Sequence, residues 1–216
     1  MFDLLVADDH RIFRQGVVRL LADNASLRTV AQAGSCEEAV NAARTHRLDL
    51  AIVDIDMPGR GGTDLVAHLK GIQSGLRVLV LTMYDEESYV TRAMRAGADG
   101  YLTKEHAADE LLRAIDRVLR DEKYLCSNVA ERVALGMVSG HPKGHPNGLP
   151  HASLSDREFK VFEMLVAGMR GRDIAEAMRL SEKTVSTHKA HLLRKMNVAN
   201  GTELIRYALK NRLIKD

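Results

Sequence analysis

Two adjacent carboxylates, Asp8 and Asp9, stand directly after an apolar run, FDLLVA. Asp54 ends a second apolar run (LDLAIVD), Thr82 ends a third (RVLVLT), and Lys104 follows a fourth (DGYL). Carboxylates gathered on one crevice repel each other unless a cation neutralises them. A hard divalent ion with oxygen ligands does this, and Mg²⁺ suits a site that also handles phosphate. One carboxylate can then act as a nucleophile toward phosphorus and form an aspartyl-phosphate. A lysine ammonium opposite would balance phosphoryl charge, and a threonine hydroxyl would donate to a phosphoryl oxygen. Taken singly, each of these residues reads equally well as an ordinary polar loop residue. Together, at the ends of successive apolar runs and with matching chemistry, they read as one site.

Such a site needs a frame that brings strand ends together. Runs rich in Val, Leu and Ile fall at 2–7, 28–33, 48–54, 77–82 and 99–102. The third and fourth are nearly continuous, as expected of strands covered on both faces of a parallel sheet. Helical patterns separate them at 11–22, 36–45, 63–71, 86–96 and 107–121. The alternation predicts an α/β doubly wound, five-stranded parallel sheet with helices on both faces. In open sheets of this kind, sites form at the carboxyl ends of the strands, where these polar residues lie.

Residues 1–122 are expected to form this first domain, and 123–153 a helix (127–138) followed by a linker. The stretch 139–153, SGHPKGHPNGLPHAS, holds all but one of the four prolines and no apolar periodicity. It reads as flexible, with His141, His145 and His151 as solvated linker histidines. Residues 154–216 read as a small all-helical bundle. Ser155 with Glu158, and Asn200 with Glu203, have capping-box spacing, and Leu154 with Phe159 can form a hydrophobic staple. Helices are expected from there to Ala167, over 172–178, from Ser181 to Met196 and over 201–210, with a tight Arg179-Leu180 turn before the third. On that third helix Val185, His188, Leu192 and Met196 share one stripe. The opposite face carries Lys183, Thr187, Ala190 and Arg194, flanked by Ser186, His191 and Lys195, while Lys189 lies at the stripe's edge. A small, polar, basic face suits insertion into a DNA major groove. The helix pair is a helix-turn-helix, which by pattern alone could equally be a protein-binding bundle.

Charge separates the two halves. The chain has 216 residues, 31 basic and 29 acidic, a net of +2. Residues 152–216 hold 13 basic and 8 acidic residues, a net of +5, leaving −3 on residues 1–151. An acidic domain joined to a basic one points to a nucleic-acid partner for the second. Cys36 and Cys126 lack disulfide-framework and metal-ligand spacing, so a reducing cytoplasm is expected. No apolar run approaches the roughly 18 residues of a membrane span, and MFDLLVADDH has no signal-peptide pattern.

DDHRIFRQG, IVDIDMPGRGG, VLVLT and GADGYLTK resemble the flavodoxin-like receiver domain of bacterial two-component response regulators over about residues 1–121. The resemblance implies that Asp54 accepts a phosphoryl group from a sensor histidine kinase. It places Asp9 and Asp54 on Mg²⁺, with Asp8 beside them and the backbone carbonyl of Asp56 as a further ligand. It gives Thr82 and Lys104 to the phosphoryl group and makes Tyr101 the switch aromatic, entering space that Thr82 vacates. Asp56 and Tyr84, two residues beyond Asp54 and Thr82, would tune phosphate lifetime or be plain loop residues. LSDREFKVFEMLVAG, RDIAEAMRLSEKTVSTHKAHLLRKM and TELIRYA resemble the LuxR/FixJ-type output domain, so the whole chain resembles the NarL/FixJ class. That implies DNA contacts from Lys183, Lys189, Arg194 and Lys195 to phosphates and from Ser186, Thr187 and Ala190 to base edges, with Thr184 in the same set. It also implies a homodimer when phosphorylated, through the last helix. Leu204, Tyr207 and Ala208 share a face there that could serve core or dimer. Gly171 departs from the family's polar helix starter and is expected to loosen the second helix. The competing readings are a phosphatase or phosphotransferase acting through Asp54, and a regulator that binds DNA without phosphorylation.

Overall fold

The computed structural model describes residues 1–57, 62–85, 87–131, 150–154, 156–178, 180–211 and 213. The chain forms two compact units, Met1–Ser139 and Gly140–Asp216. The helix expected over 127–138 is present at 127–131; its remainder lies outside the described residues, as do His141, His145, Ser155 and Arg179.

In the first unit, strands β1 (Phe2–Ala7), β2 (Leu27–Ala33), β3 (Leu50–Val53), β4 (Arg77–Thr82) and β5 (Gly100–Thr103) alternate with helices α1 (Arg11–Ala22), α2 (Cys36–Thr45), α3 (Thr63–Ile72), α4 (Glu87–Arg95) and α5 (Ala107–Leu119). The strands pair in parallel in the order β2-β1-β3-β4-β5. All of β3 and β5, and β4 beyond Arg77, are buried, which accounts for their lack of polar alternation. The chain runs from β1 outward to β2, then back across β1 to β3. That reversal leaves a crevice above the ends of β1 and β3.

The five-strand expectation is corrected by a sixth, β6 (Tyr124–Leu125), which pairs in parallel with β5. It falls in a segment assigned to helix and linker. Two residues are too few to carry a periodic signal. Backbone bonds from Tyr124 to Asp99 and from Cys126 to Tyr101 secure it. The Tyr124 hydroxyl also reaches Glu110 of α5.

Close packing of α5 on the sheet depends on Gly100. A Cβ there would lie 2.7 Å from Leu79 Cδ1 and 2.9 Å from Val118 Cγ2. Gly97, at φ +102°, ends α4, and the Ala98 N–H returns to the Ala93 carbonyl.

The second unit holds α6 (Asp156–Val166), α7 (Gly171–Ala177), α8 (Glu182–Met196) and α9 (Gly201–Lys210). Val161, Ile174, Ala175 and Val185 form a core flanked by Met164, Leu165, Met169, Met178 and Leu180. Ser181 caps α8 by accepting the Thr184 N–H, and Asn200 caps α9 by accepting the Glu203 N–H. The Glu203 carboxylate returns to the Ala199 N–H, one residue before the cap. Gly168, at φ +81°, ends α6. α7 starts at Gly171 itself, and Asp173 accepts the Arg170 N–H at 3.4 Å, so the start is formed despite the glycine. Leu204 and Ala208 are buried, which assigns that face of α9 to the core; Ile205 and Leu209 are exposed.

His151 corrects the expectation of a solvated linker residue. It sits in a 3₁₀ turn, Pro150–Ser153, with Nδ1 2.7 Å from the Tyr207 hydroxyl of α9. The turn packs against the bundle and leaves His151 half-buried.

Candidate functional site

Asp8 follows β1, Asp54 follows β3 and Lys104 follows β5, so three strand ends deliver three charged side chains to one crevice. All three are buried. The Lys104 ammonium lies 2.5 Å from Asp54 Oδ2 and 2.7 Å from Asp8 Oδ2, bridging the two carboxylates. Burial pushes the Asp54 carboxyl above the usual carboxylate range, and the neighbouring Lys104 charge opposes that rise. Burial would also lower Lys104, but the carboxylates of Asp54 and Asp8 outweigh it and keep the ammonium firmly protonated.

Asp9 is partly exposed beside this pair, yet its Oδ1 atom is buried without a hydrogen bond. Asp8, Asp9, His10 and Asp54 each offer a ligand atom, and these atoms all lie within 4.8 Å of one another. Three carboxylates, with Asp9 Oδ1 buried 2.9 Å from His10 Nδ1, form an acidic pocket suited to a hard cation. The Asp56 N–H donates to Asp54 Oδ1 at 2.9 Å, fixing that carboxylate, while the Asp56 side chain is exposed. Thr82, at the end of β4, is fully buried.

Tyr101 is also fully buried, and its hydroxyl donates to the Tyr84 carbonyl at 2.8 Å. The bond joins β5 to the loop after Thr82. Tyr84 stacks on Tyr89 with ring centroids 4.4 Å apart. This ties the loop after Thr82 to α4.

Three neighbours escaped the sequence reading. His10 donates its N–H to Asp8 Oδ1, and its Nδ1 lies 2.9 Å from Asp9 Oδ1. Arg14 donates to the Asp8 carbonyl. The Phe13 ring lies 4.8 Å from the Lys104 ammonium. The available signal was position: the first turn of α1 follows directly on Asp8 and Asp9, so residues one turn along face the same crevice.

In the second unit, α8 buries Val185, Leu192 and Met196, with His188 half-buried. Lys183, Ser186, Thr187, Lys189, Ala190, His191, Arg194 and Lys195 are exposed. Thr184 is half-buried, and its hydroxyl lies 2.8 Å from the Ser181 hydroxyl at the cap. The Lys195 ammonium lies 2.7 Å from Glu158 Oε2 of α6.

The family model of the response regulator receiver domain matches residues 4–116, and that of the bacterial regulatory proteins of the luxR family matches residues 152–208. The response regulator UvrY of Escherichia coli K12 is 32% identical over 213 residues, covering 99% of this chain and 96% of UvrY. The response regulator GacA of Pseudomonas aeruginosa is 33% identical over 214 residues, covering 99% and 98%. Among solved structures, RcsB of Salmonella typhimurium aligns with a TM-score of 0.62 at 23% identity, over 97% of this chain and 98% of RcsB. A LuxR-family response regulator from Aurantimonas sp. SI85-9A1 aligns with a TM-score of 0.62 at 30% identity, over 64% of this chain and 99% of its own. A doubly wound sheet with an acidic crevice, joined to a helix-turn-helix, defines a two-component regulator. The chain belongs to the response regulators of the NarL/FixJ class and carries a receiver domain and a LuxR-type DNA-binding domain.

Among the described residues, no helix is long and apolar enough to cross a membrane.

Proposed function

We propose that Asp54 is the phosphoacceptor and that its phosphorylation by a sensor histidine kinase controls dimerisation and promoter binding in the cytoplasm. The observation carrying this reading is the buried Lys104 bridge between Asp54 and Asp8. The lysine reaches both carboxylates, and each also receives a backbone N–H, Asp54 from Asp56 and Asp8 from His10, which fixes their orientation. An Asp54 oxygen attacks phosphorus as the phosphoramidate P–N bond of the kinase histidine breaks. The imidazole leaves with a proton, and the regulator supplies its own catalysis of the transfer. Lys104 then pairs with the phosphoryl oxygens and Thr82 donates to them.

Asp8, Asp9, Asp54 and the Asp56 carbonyl would hold Mg²⁺. The carboxylate oxygens of Asp8, Asp9 and Asp54, within 4.8 Å of one another, fit that ion. When bound, Mg²⁺ offsets the clustered carboxylate charge and the incoming phosphoryl charge. Asp56 and Tyr84 stand at the rim, where a carboxylate and a phenol would set water access and hence phosphate lifetime. Tyr101 anchors the loop after Thr82 through the Tyr84 carbonyl, so movement of Thr82 would be felt at α4 and β5.

On the other unit, Lys183, Lys189 and Arg194 would neutralise phosphates, while Ser186, Thr187 and Ala190 face base edges. RcsB, which shares the fold, has been solved as dimers on DNA. Domain limits of 1–122, 123–153 and 154–216 accompany this reading.

The test is incubation with acetyl phosphate and Mg²⁺, read by intact mass and sedimentation. One phosphoryl group per chain is expected, with a shift toward dimer and tighter DNA binding, all lost in Asp54→Ala. Continuous turnover of varied phosphate esters would instead indicate an enzyme. Equal DNA affinity with and without label would indicate a regulator independent of phosphorylation.

A further inference from the structure

The recognition helix carries a cation, Lys195, that is itself exposed yet whose ammonium meets a buried carboxylate. Glu158, on α6, is buried, its side chain 6% exposed, and its Oε2 lies 2.7 Å from Lys195 Nζ in the last turn of α8. A carboxylate withdrawn from water is tolerated when a cation meets it with good geometry. An ammonium held there is not free to neutralise a DNA phosphate. Each residue turns the helix by about 100°, so Lys195 lies on a different side from Arg194, next to the half-buried His188, with its own side chain 41% exposed.

We propose that Lys195 is not a phosphate contact. With Glu158 it forms a positioning pair that pins the C-terminal half of α8 to α6. The pin sets the angle at which Lys183, Lys189 and Arg194 are presented to the duplex. α6 and α8 also pack through apolar surfaces around Val161 and Val185, an attraction that is itself weakly directional. A charge-assisted hydrogen bond at the far end supplies that direction. The inference rests on the DNA-binding reading above.

The test uses the full chain and a mixed-sequence duplex, with affinity followed by anisotropy between 50 and 200 mM salt. A phosphate contact contributes about 0.9 to the slope of log affinity against log salt. Lys189→Met is expected to flatten the slope by about that amount. Lys195→Met is expected to keep the wild-type slope while weakening binding about three- to tenfold at every salt. Glu158→Gln should weaken binding similarly, and the double variant no further, all with circular dichroism showing folded protein. A flattened slope for Lys195→Met overturns the proposal, as does wild-type affinity in Lys195→Met. Should Glu158→Gln fail to fold, the slope and affinity of Lys195→Met still decide. A wild-type chain that binds no duplex at any salt overturns the DNA-binding reading itself, and this inference with it.

Discussion

At the scale of single residues, Lys104 has a structural task before any phosphoryl group arrives. It holds two buried carboxylates that would otherwise repel each other. Lys104→Met removes one partner of a buried pair, a change that costs about 3–5 kcal/mol. Urea unfolding of the Mg²⁺-free protein should show that loss, with part of it recovered when Mg²⁺ is added. An unchanged midpoint would deny the lysine this role. Asp99 shows the opposite balance from Asp54. Burial alone would raise its carboxyl, but Lys70 at 2.5 Å, Lys123 at 2.9 Å and the Val78 N–H hold it below 3.8. A lowered carboxyl stabilises the fold above its unfolded value and loses that contribution as pH falls through its folded value. Asp99→Asn should therefore cost about 1–3 kcal/mol at neutral pH. The gap from wild type should close below pH 3.8, as followed by denaturation across an acid series.

At the scale of elements, two glycines make opposite predictions. Gly100 lies where α5 presses on the sheet, and an added Cβ would meet Leu79 and Val118 well inside contact distance. Gly100→Ala should destabilise the receiver by about 1–3 kcal/mol, through overpacking. Gly171 begins α7 with nothing within 4 Å of an added Cβ and without a positive φ. Gly171→Ala should stabilise the second unit by about 0.4–1 kcal/mol by narrowing its unfolded ensemble. Thermal melts of both variants check the pair, and the same sign for both would refute the packing account. β6 illustrates why short elements escape pattern reading. Its existence depends on an exposed edge of β5 and on backbone bonds to Asp99 and Tyr101, which adjacent side chains do not encode.

At the scale of the whole molecule, the net charge of +2 conceals an acidic receiver and a basic DNA-binding unit. Three outward cations on α8, Lys183, Lys189 and Arg194, predict a salt slope near −2.7 per chain, or about a 40-fold loss of affinity from 50 to 200 mM salt. A much steeper slope would mean that cations beyond α8 also reach the backbone.

The alternation of strands and helices, the parallel sheet and the identity of the acidic residues at strand ends were legible in the sequence. They follow from local periodicity and from the rule that open sheets carry sites at their carboxyl edge. The recognition face of α8 was legible for the same reason, since a helix repeats its environment every few residues. The sequence did not reveal that Lys104 bridges Asp54 and Asp8, that His10, Phe13 and Arg14 join the crevice, or that His151 docks on Tyr207. Nor did it reveal that Lys195 pairs with Glu158. Each of these is a pairing between residues distant in the chain or on different elements. One-dimensional patterns record how often a face turns inward. Only the packed structure decides which partner a charged or polar side chain meets once it is there.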